Sequence, residues 1–322
     1  MPLIQSNYTP PLRIFRNGDI ATIYAAMCRK VTIIQQTRER IDLVDGDFID
    51  LDWSYSFKKS NQLVIICHGL EGHAQRPYIM GAAKLFNQHG YDCCAINYRG
   101  CSGEINKKFT AYHSGKTEDL QSVIEYILNK NQYQKIILNG FSLGGNLILK
   151  YIGEKQKLPL EIKGAIAIST PVDLEGCMVE LLKKRNLLYH KNFLKTLKVK
   201  LSEKRAIFPD EISDEEFNNI ETLKEYDDLY TAKFNGFEGA DDYYRKCSAL
   251  QHLPEIELPT LILNAENDSF LSSTCYPQNI ALKSQHLNLE ISRYGGHVGF
   301  IDKANIYYNE KRTLQFMKEK II

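Results

Sequence analysis

Gly140-Phe141-Ser142-Leu143-Gly144-Gly145 is the stretch of this chain best suited to do chemistry. A serine with glycines two residues before and two after it fits a sharp turn at which a strand ends and a helix begins. Such a turn holds the hydroxyl out for attack on a carbonyl carbon. The glycines leave room where any side chain would clash. A serine alone is a weak nucleophile, so the site also needs a general base and an acid to orient that base. In this strand–turn–helix setting they follow in the order serine, carboxylate, histidine. The chain offers them in that order. Asp268 lies in Asn264-Ala265-Glu266-Asn267-Asp268-Ser269-Phe270, and His297 in Tyr294-Gly295-Gly296-His297-Val298-Gly299-Phe300. The long interval from Ser142 to Asp268 signals an insertion. The short one from Asp268 to His297 fits one helix, one strand and their loops. Glu266 competes as the acid. Among the eight histidines, His252 and His286 sit in polar, helix-like surroundings and His113 precedes the serine, so His297 is taken as the base.

Acyl chemistry also needs donors for the developing oxyanion. Cys67-His68-Gly69-Leu70-Glu71-Gly72-His73 follows the first buried strand, and the backbone N–H groups of Leu70 and Leu143 are expected to form the hole. His68 is expected to shape this loop through hydrogen bonds. His68, Gly69, His73 and His113 are the candidates for lining the site. The chemistry calls for no metal and no organic cofactor.

These residues need a scaffold. Short continuous apolar runs at 63–67, 91–97, 135–139 and 162–169 read as strands buried on both faces. Helical stretches at 78–89, 117–130 and 144–155 alternate with them, which requires a parallel sheet with right-handed crossovers. Residues 31–53 read as two strands around an Asp45-Gly46 turn, and residues 1–30 as a wrapping arm. Strands resume at 259–264 and 287–292. The polar, helical stretch 171–248 between them reads as a cap over the edge of the sheet where ligands bind. The expected organisation is a core of residues 1–170 and 249–322 carrying a helical cap of residues 171–248.

Composition narrows the function further. The 322 residues carry 40 Lys+Arg against 39 Asp+Glu, a net charge of +1, which excludes a strongly basic nucleic-acid binder. The eight cysteines form no C-x-x-C pair, so reduced thiols in a reducing compartment are expected. No basic start leads into an apolar segment, and the longest near-apolar stretches fall well short of the ~18 residues that span a bilayer. The cytoplasm is the expected location.

Ordered matches along nearly the whole chain resemble the YheT-like α/β-hydrolases, kin to bacterial carboxylesterases and eukaryotic abhydrolase-domain lipid hydrolases. They include Arg16-Asn17-Gly18-Asp19-Ile20-Ala21-Thr22-Ile23, Asp45-Gly46-Asp47-Phe48 and His68-Gly69-Leu70-Glu71-Gly72. Asn97-Tyr98-Arg99-Gly100-Cys101-Ser102-Gly103, Tyr112-His113-Ser114-Gly115, Gly140 to Asn146, Glu225-Tyr226-Asp227-Asp228 through Thr231-Ala232 to Tyr243-Tyr244, and Gly295 to Phe300 continue the series. By motif position the resemblance implies a triad of Ser142, Asp268 and His297. Where that family usually reads N-A-x-D-D-P-F, this chain has Asn267 and Ser269 around Asp268.

The expected activity is hydrolysis of carboxylic esters of short-to-medium acyl chains through an acyl-enzyme on Ser142. Kinship with lipid hydrolases makes phospholipid or monoacylglycerol cleavage the alternative. Acyl transfer to an alcohol would use the same triad, and a non-catalytic binding module is the reading from another class. Tyr226, Tyr230, Phe234, Phe237, Tyr243 and Tyr244 either line an acyl site or pack the cap, with packing favoured. Lys183, Lys184, Arg185, Lys195, Lys198 and Lys200 read first as a solvated helix face, and alternatively as a contact for anionic membranes.

Overall fold

Runs such as Leu63-Val64-Ile65-Ile66-Cys67 have no polar side, so both faces of the strand must be covered. The computed structural model describes residues 2–32, 34–154 and 157–321, and in it a nine-stranded sheet lies between two helical layers. The strands are β1 (Leu3–Gln5), β2 (Thr37–Asp42), β3 (Phe48–Ser54), β4 (Gln62–Cys67), β5 (Asp92–Asn97), β6 (Lys135–Phe141), β7 (Ile162–Ile168), β8 (Thr260–Ala265) and β9 (Leu287–Ser292). Their spatial order is β1-β9-β8-β7-β6-β4-β5-β3-β2. Pairing is parallel from β1 to β5 across the sheet and antiparallel where β3 meets β5 and β2.

The helices are α1 (Gly18–Ile23), α2 (Pro77–Gln88), α3 (Thr117–Asn129), α4 (Leu143–Glu154), α5 (Leu174–Leu182), α6 (Leu187–Ile207), α7 (Asp214–Asn218), α8 (Leu223–Tyr226), α9 (Ala240–Cys247), α10 (Gln278–Lys283) and α11 (Tyr308–Phe316). Strand side chains alternate between two cores. Leu63, Ile65, Leu138 and Ala167 pack with Val123 and Ile124 of α3 and Ile148 of α4. Val64, Ile66, Ile137 and Ile166 pack with Ala82 and Phe86 of α2 and Phe316 of α11. Each fully buried Leu or Ile contributes about 1.5–3 kcal/mol, so the sheet edge that carries the loops is rigidly held.

Most expected elements stand where the apolar runs put them. The predicted helix 144–155 runs through Glu154, and its last position, Lys155, lies outside the described residues. Two features differ. The hairpin begins at Thr37 rather than 31, because Thr37 pairs with Trp53 and β3 ends at Ser54, one residue later, so the partner strand stops there; Ile33 lies outside the described residues. The arm is more than a wrapping. Leu3–Gln5 adds a parallel strand beside β9, too short for any period to announce it.

Between β7 and β8 the described chain is helical and contains no strand. It builds small cores of its own, one from Leu194, Leu197 and Leu201 of α6 with Ile220, Leu223 and Tyr230. A second gathers Leu174, Ala240, Tyr243 and Tyr244. Among the described residues no helix is long and apolar enough to cross a membrane. Because β4, β6, β7, β8 and β9 run parallel, the loops that follow them leave from one edge. That edge carries Gly69, Ser142, Asp268 and His297.

Candidate active site

Ser142 stands between the last residue of β6 and the first of α4 with φ +53°, in the left-handed region that L-residues avoid. Such a conformation costs on the order of 1–3 kcal/mol and persists only where its surroundings impose it. The Ser142 N–H donates to the Ile168 carbonyl at 2.8 Å, and its own carbonyl accepts from Gly145 N–H at 2.9 Å. A Cβ on Gly144 would fall on the carbonyls of Cys67 and His68, and one on Gly140 on the Gly144 carbonyl. The two glycines therefore let the start of α4 press against the end of β4 and turn back over β6. Leu143 opens α4, so its N–H is among those an α-helix leaves without an internal partner. A Cβ on Gly69 would lie 3.0 Å from the Ser142 Cβ and 3.6 Å from its Oγ. The backbone leading to Leu70 thus runs in contact with the serine.

Asp268 and His297 meet across the edge. Asp268 Oδ2 accepts from His297 Nδ1 at 2.8 Å, and Asp268 Oδ1 accepts from Phe270 N–H at 3.0 Å. The carboxylate is buried and both of its oxygens are in use. With the proton on Nδ1 held by the carboxylate, Nε2 is the lone-pair nitrogen, the tautomer a base requires. The imidazole packs on Phe270, ring centroids 4.4 Å apart. Glu266 is exposed and its N–H donates to the Ser292 carbonyl, so of the two carboxylates it is Asp268 that faces His297. His252 lies against Gly153 at the far end of α4, and the His286 carbonyl sits where β8 begins, at the opposite sheet edge.

The histidine loop is held at unusual backbone angles, with Gly296 at φ +54° and Val298 at +60°. Three consecutive N–H groups are caught by three side chains. Gly296 donates to Asn267 Oδ1 at 2.9 Å, His297 to Thr22 Oγ1 at 2.8 Å and Val298 to Ser169 Oγ at 2.9 Å. Thr22 in turn donates to the Gly18 carbonyl at 2.7 Å, and Asn267 Nδ2 to the Arg16 carbonyl at 3.0 Å. Sequence reasoning missed all three. They come from the arm, from the end of β7 and from the acid loop, and no motif joins them. Asn267 also gives its departure from the family pattern a physical meaning. An amide can accept from Gly296 and donate to Arg16 at once, whereas a carboxylate can only accept.

Thr22→Val keeps the shape of the side chain but leaves the His297 N–H without its partner. We expect about a tenfold lower kcat with KM little changed, and recovery in Thr22→Ser. Steady-state kinetics of the two variants check this.

A cavity of about 960 Å3 opens at this edge, and Gly69, Leu70, Ser142, Leu143 and His297 share its wall. His73 and His113 lie on the wall. His68 does not. It is fully buried behind the loop, with Nδ1 donating to the Gly69 carbonyl at 2.7 Å and Nε2 facing the Tyr98 N–H at 3.4 Å. Both ring nitrogens serve the backbone, so the ring braces the loop from behind. Burial pulls the pKa of His68 down to about 3, and likewise that of His113, so both rings are neutral at pH 7. Tyr226, Tyr230, Tyr243 and Tyr244 do both things weighed for them: they pack the helical stretch and face the cavity. Phe234 and Phe237 are not on this wall.

Glu71 and Asp227 are among the polar groups set into the largely apolar wall. Glu71, at φ +53° in the loop after β4, accepts from Lys200 Nζ at 3.0 Å and from Tyr112 Oη at 2.8 Å, which straps α6 to that loop. Burial pushes the carboxyl of Asp227 up to about 6, against the hydroxyls of Thr231 and Tyr244, each at 2.7 Å. Of the cations read as a helix face, Lys200 is thus paired and Lys198 donates to the Ile220 carbonyl at 2.9 Å. Lys183, Lys184, Arg185 and Lys195 remain at the surface. Among the described residues no group of three or more His, Cys, Asp or Glu side chains could hold a metal ion.

The sequence matches the α/β-hydrolase fold family over residues 62–304. It is 32% identical over 295 residues to "Putative esterase YheT" of Escherichia coli (strain K12), covering 90% of this chain and 86% of that protein. It is 29% identical over 310 residues to "Phospholipase ABHD3" of Mus musculus, covering 94% and 75% respectively. In three dimensions it is similar to the Pyrococcus furiosus esterase Pf2001, with a TM-score of 0.61, 16% identity, and coverage of 91% of this chain and 96% of that one.

Proposed function

Because this chain belongs to the α/β-hydrolase fold family, as a YheT-like member, we propose that it hydrolyses carboxylic esters through an acyl-enzyme on Ser142. His297 Nε2 takes the serine proton as Oγ bonds to the acyl carbon. The oxyanion of the tetrahedral intermediate is held by the N–H groups of Leu70 and Leu143. Collapse breaks the bond to the leaving alkoxide, which carries away the proton from the imidazolium. Water then attacks the acyl-enzyme, again losing its proton to His297, and the acid leaves as Ser142 regains its hydrogen. Asp268 stays ionised throughout, fixing the tautomer and stabilising the imidazolium. Each step balances without a metal or cofactor.

The observation that carries this reading is the 2.8 Å contact of buried Asp268 with His297, which shares the cavity wall with Ser142. Residues 171–248 act as a cap on the core of residues 1–170 and 249–322, and the tyrosines they contribute to the wall contact the acyl chain.

Short-to-medium acyl esters are the first reading of the substrate. A second, lipid-directed reading, toward a phospholipid or monoacylglycerol, draws support from the cavity. Its volume of about 960 Å3 lies at the upper end of the ~300–1,000 Å3 usual for ligand sites. A series of p-nitrophenyl esters from acetate to palmitate separates the two. Under the first reading kcat/KM peaks between butyrate and octanoate and falls by at least about tenfold at palmitate. A rise that continues through laurate transfers the assignment to lipid esters. Absence of turnover across the series overturns both.

A further inference from the structure

Met27 and Leu188 are 79% and 81% exposed, yet both belong to the cavity wall, so they stand at its rim. They come from separate elements: Met27 from the helical turn after α1, and Leu188 from the first turn of α6. Asp19 of α1 joins the two, facing Arg185 at 3.4 Å and the Tyr189 hydroxyl at 3.4 Å. The arm and the start of α6 therefore form one continuous face beside the mouth. On the arm, Leu12, Ile14, Ile20 and Ile23 are also exposed, and near α6 so are Leu182 and Leu187. A soluble chain seldom leaves so many large aliphatic side chains together in water without a use for them.

Charge gathers on the same two segments. Residues 12–30 hold four basic side chains and one acidic, and residues 179–195 hold five basic and one acidic. Since the whole chain carries a net charge of +1, everything outside these segments is net negative. Arg29 is buried against Glu310, but Arg13, Arg16, Lys30, Lys183, Lys184 and Lys191 are exposed. Aliphatic side chains flanked by lysine and arginine suit the headgroup region of an anionic bilayer. There the apolar groups enter the acyl boundary and each cation is drawn to negative lipid.

We propose that this face, formed by residues 12–27 and 182–191 around the cavity mouth, docks the protein reversibly on the surface of an anionic phospholipid bilayer. Docking orients the mouth toward the lipid. Binding is read without turnover, so the inference stands or falls separately from the ester reading.

The test is co-sedimentation with vesicles of phosphatidylcholine alone or mixed equally with phosphatidylglycerol, at low and high salt. Two double variants, Lys183→Glu with Lys184→Glu and Ile14→Asp with Leu187→Asp, are compared with wild type. None of these four residues is on the cavity wall, so hydrolysis of a water-soluble ester should not change. Wild type should partition at least about tenfold more strongly to the anionic vesicles and be released by salt, and each double variant should lose at least about tenfold. Equal partition to both vesicle types, no sedimentation, or variants that bind like wild type would overturn the proposal. So would gel filtration showing a dimer that Ile14→Asp with Leu187→Asp dissociates, since a second copy would then cover the face.

Discussion

Ser142→Ala is expected to lower kcat for ester hydrolysis by about 10^6-fold while the protein stays folded. The backbone bonds that hold the turn, from Ser142 N–H to Ile168 and from Gly145 to the Ser142 carbonyl, survive the substitution. Alanine meets the same cost at φ +53° that serine meets. What disappears is the one atom that bonds to the acyl carbon. A residual ~10^3–10^4-fold acceleration over water should remain, because the oxyanion donors and the cavity are untouched. Steady-state assays with a melting curve of the same preparation check both halves of the prediction.

Asp268→Asn should cost about 10^4-fold in kcat. Both carboxylate oxygens accept hydrogen bonds, one from His297 Nδ1 and one from Phe270 N–H. An amide has one acceptor and one donor end, so either orientation fails. With nitrogen toward His297, the imidazole must carry its proton on Nε2, where it cannot receive the serine proton. With oxygen toward His297, the amide N–H groups face the Phe270 N–H, donor against donor, at a cost of about 1–3 kcal/mol. Added to Ser142→Ala, the substitution should cause almost no further loss, since a base has nothing to do without its nucleophile. The double variant, measured beside the two single ones, checks this.

The two substitutions probe the parts of the molecule that were most legible in the sequence. The strands were readable because apolar runs buried on both faces have few alternatives. The elbow was readable because Gly140 and Gly144 are fixed by close approach of backbone to backbone. Asp268 and His297 followed from chain order and from the loops that must reach back over the edge. The rest depended on proximity in space. Thr22, Ser169 and Asn267 hold three successive N–H groups of the histidine loop from three distant segments, and nothing in the local pattern of any of them reveals it. His68 reads both as a brace of its loop and as a candidate for the cavity wall, because a sequence does not say which side of a loop a ring takes. Its two backbone contacts put it behind. The strand β1 has three residues, fewer than any periodicity can register.

The central claim is that Ser142 is an activated nucleophile. Labelling with a fluorescent fluorophosphonate tests it most directly, with wild type beside Ser142→Ala and the adduct mapped by mass spectrometry. Wild type should take up the label at a single site, on the tryptic peptide of residues 136–150, and the alanine variant should take up none. A folded wild type that stays unlabelled, or an alanine variant that labels as well as wild type, would contradict the account.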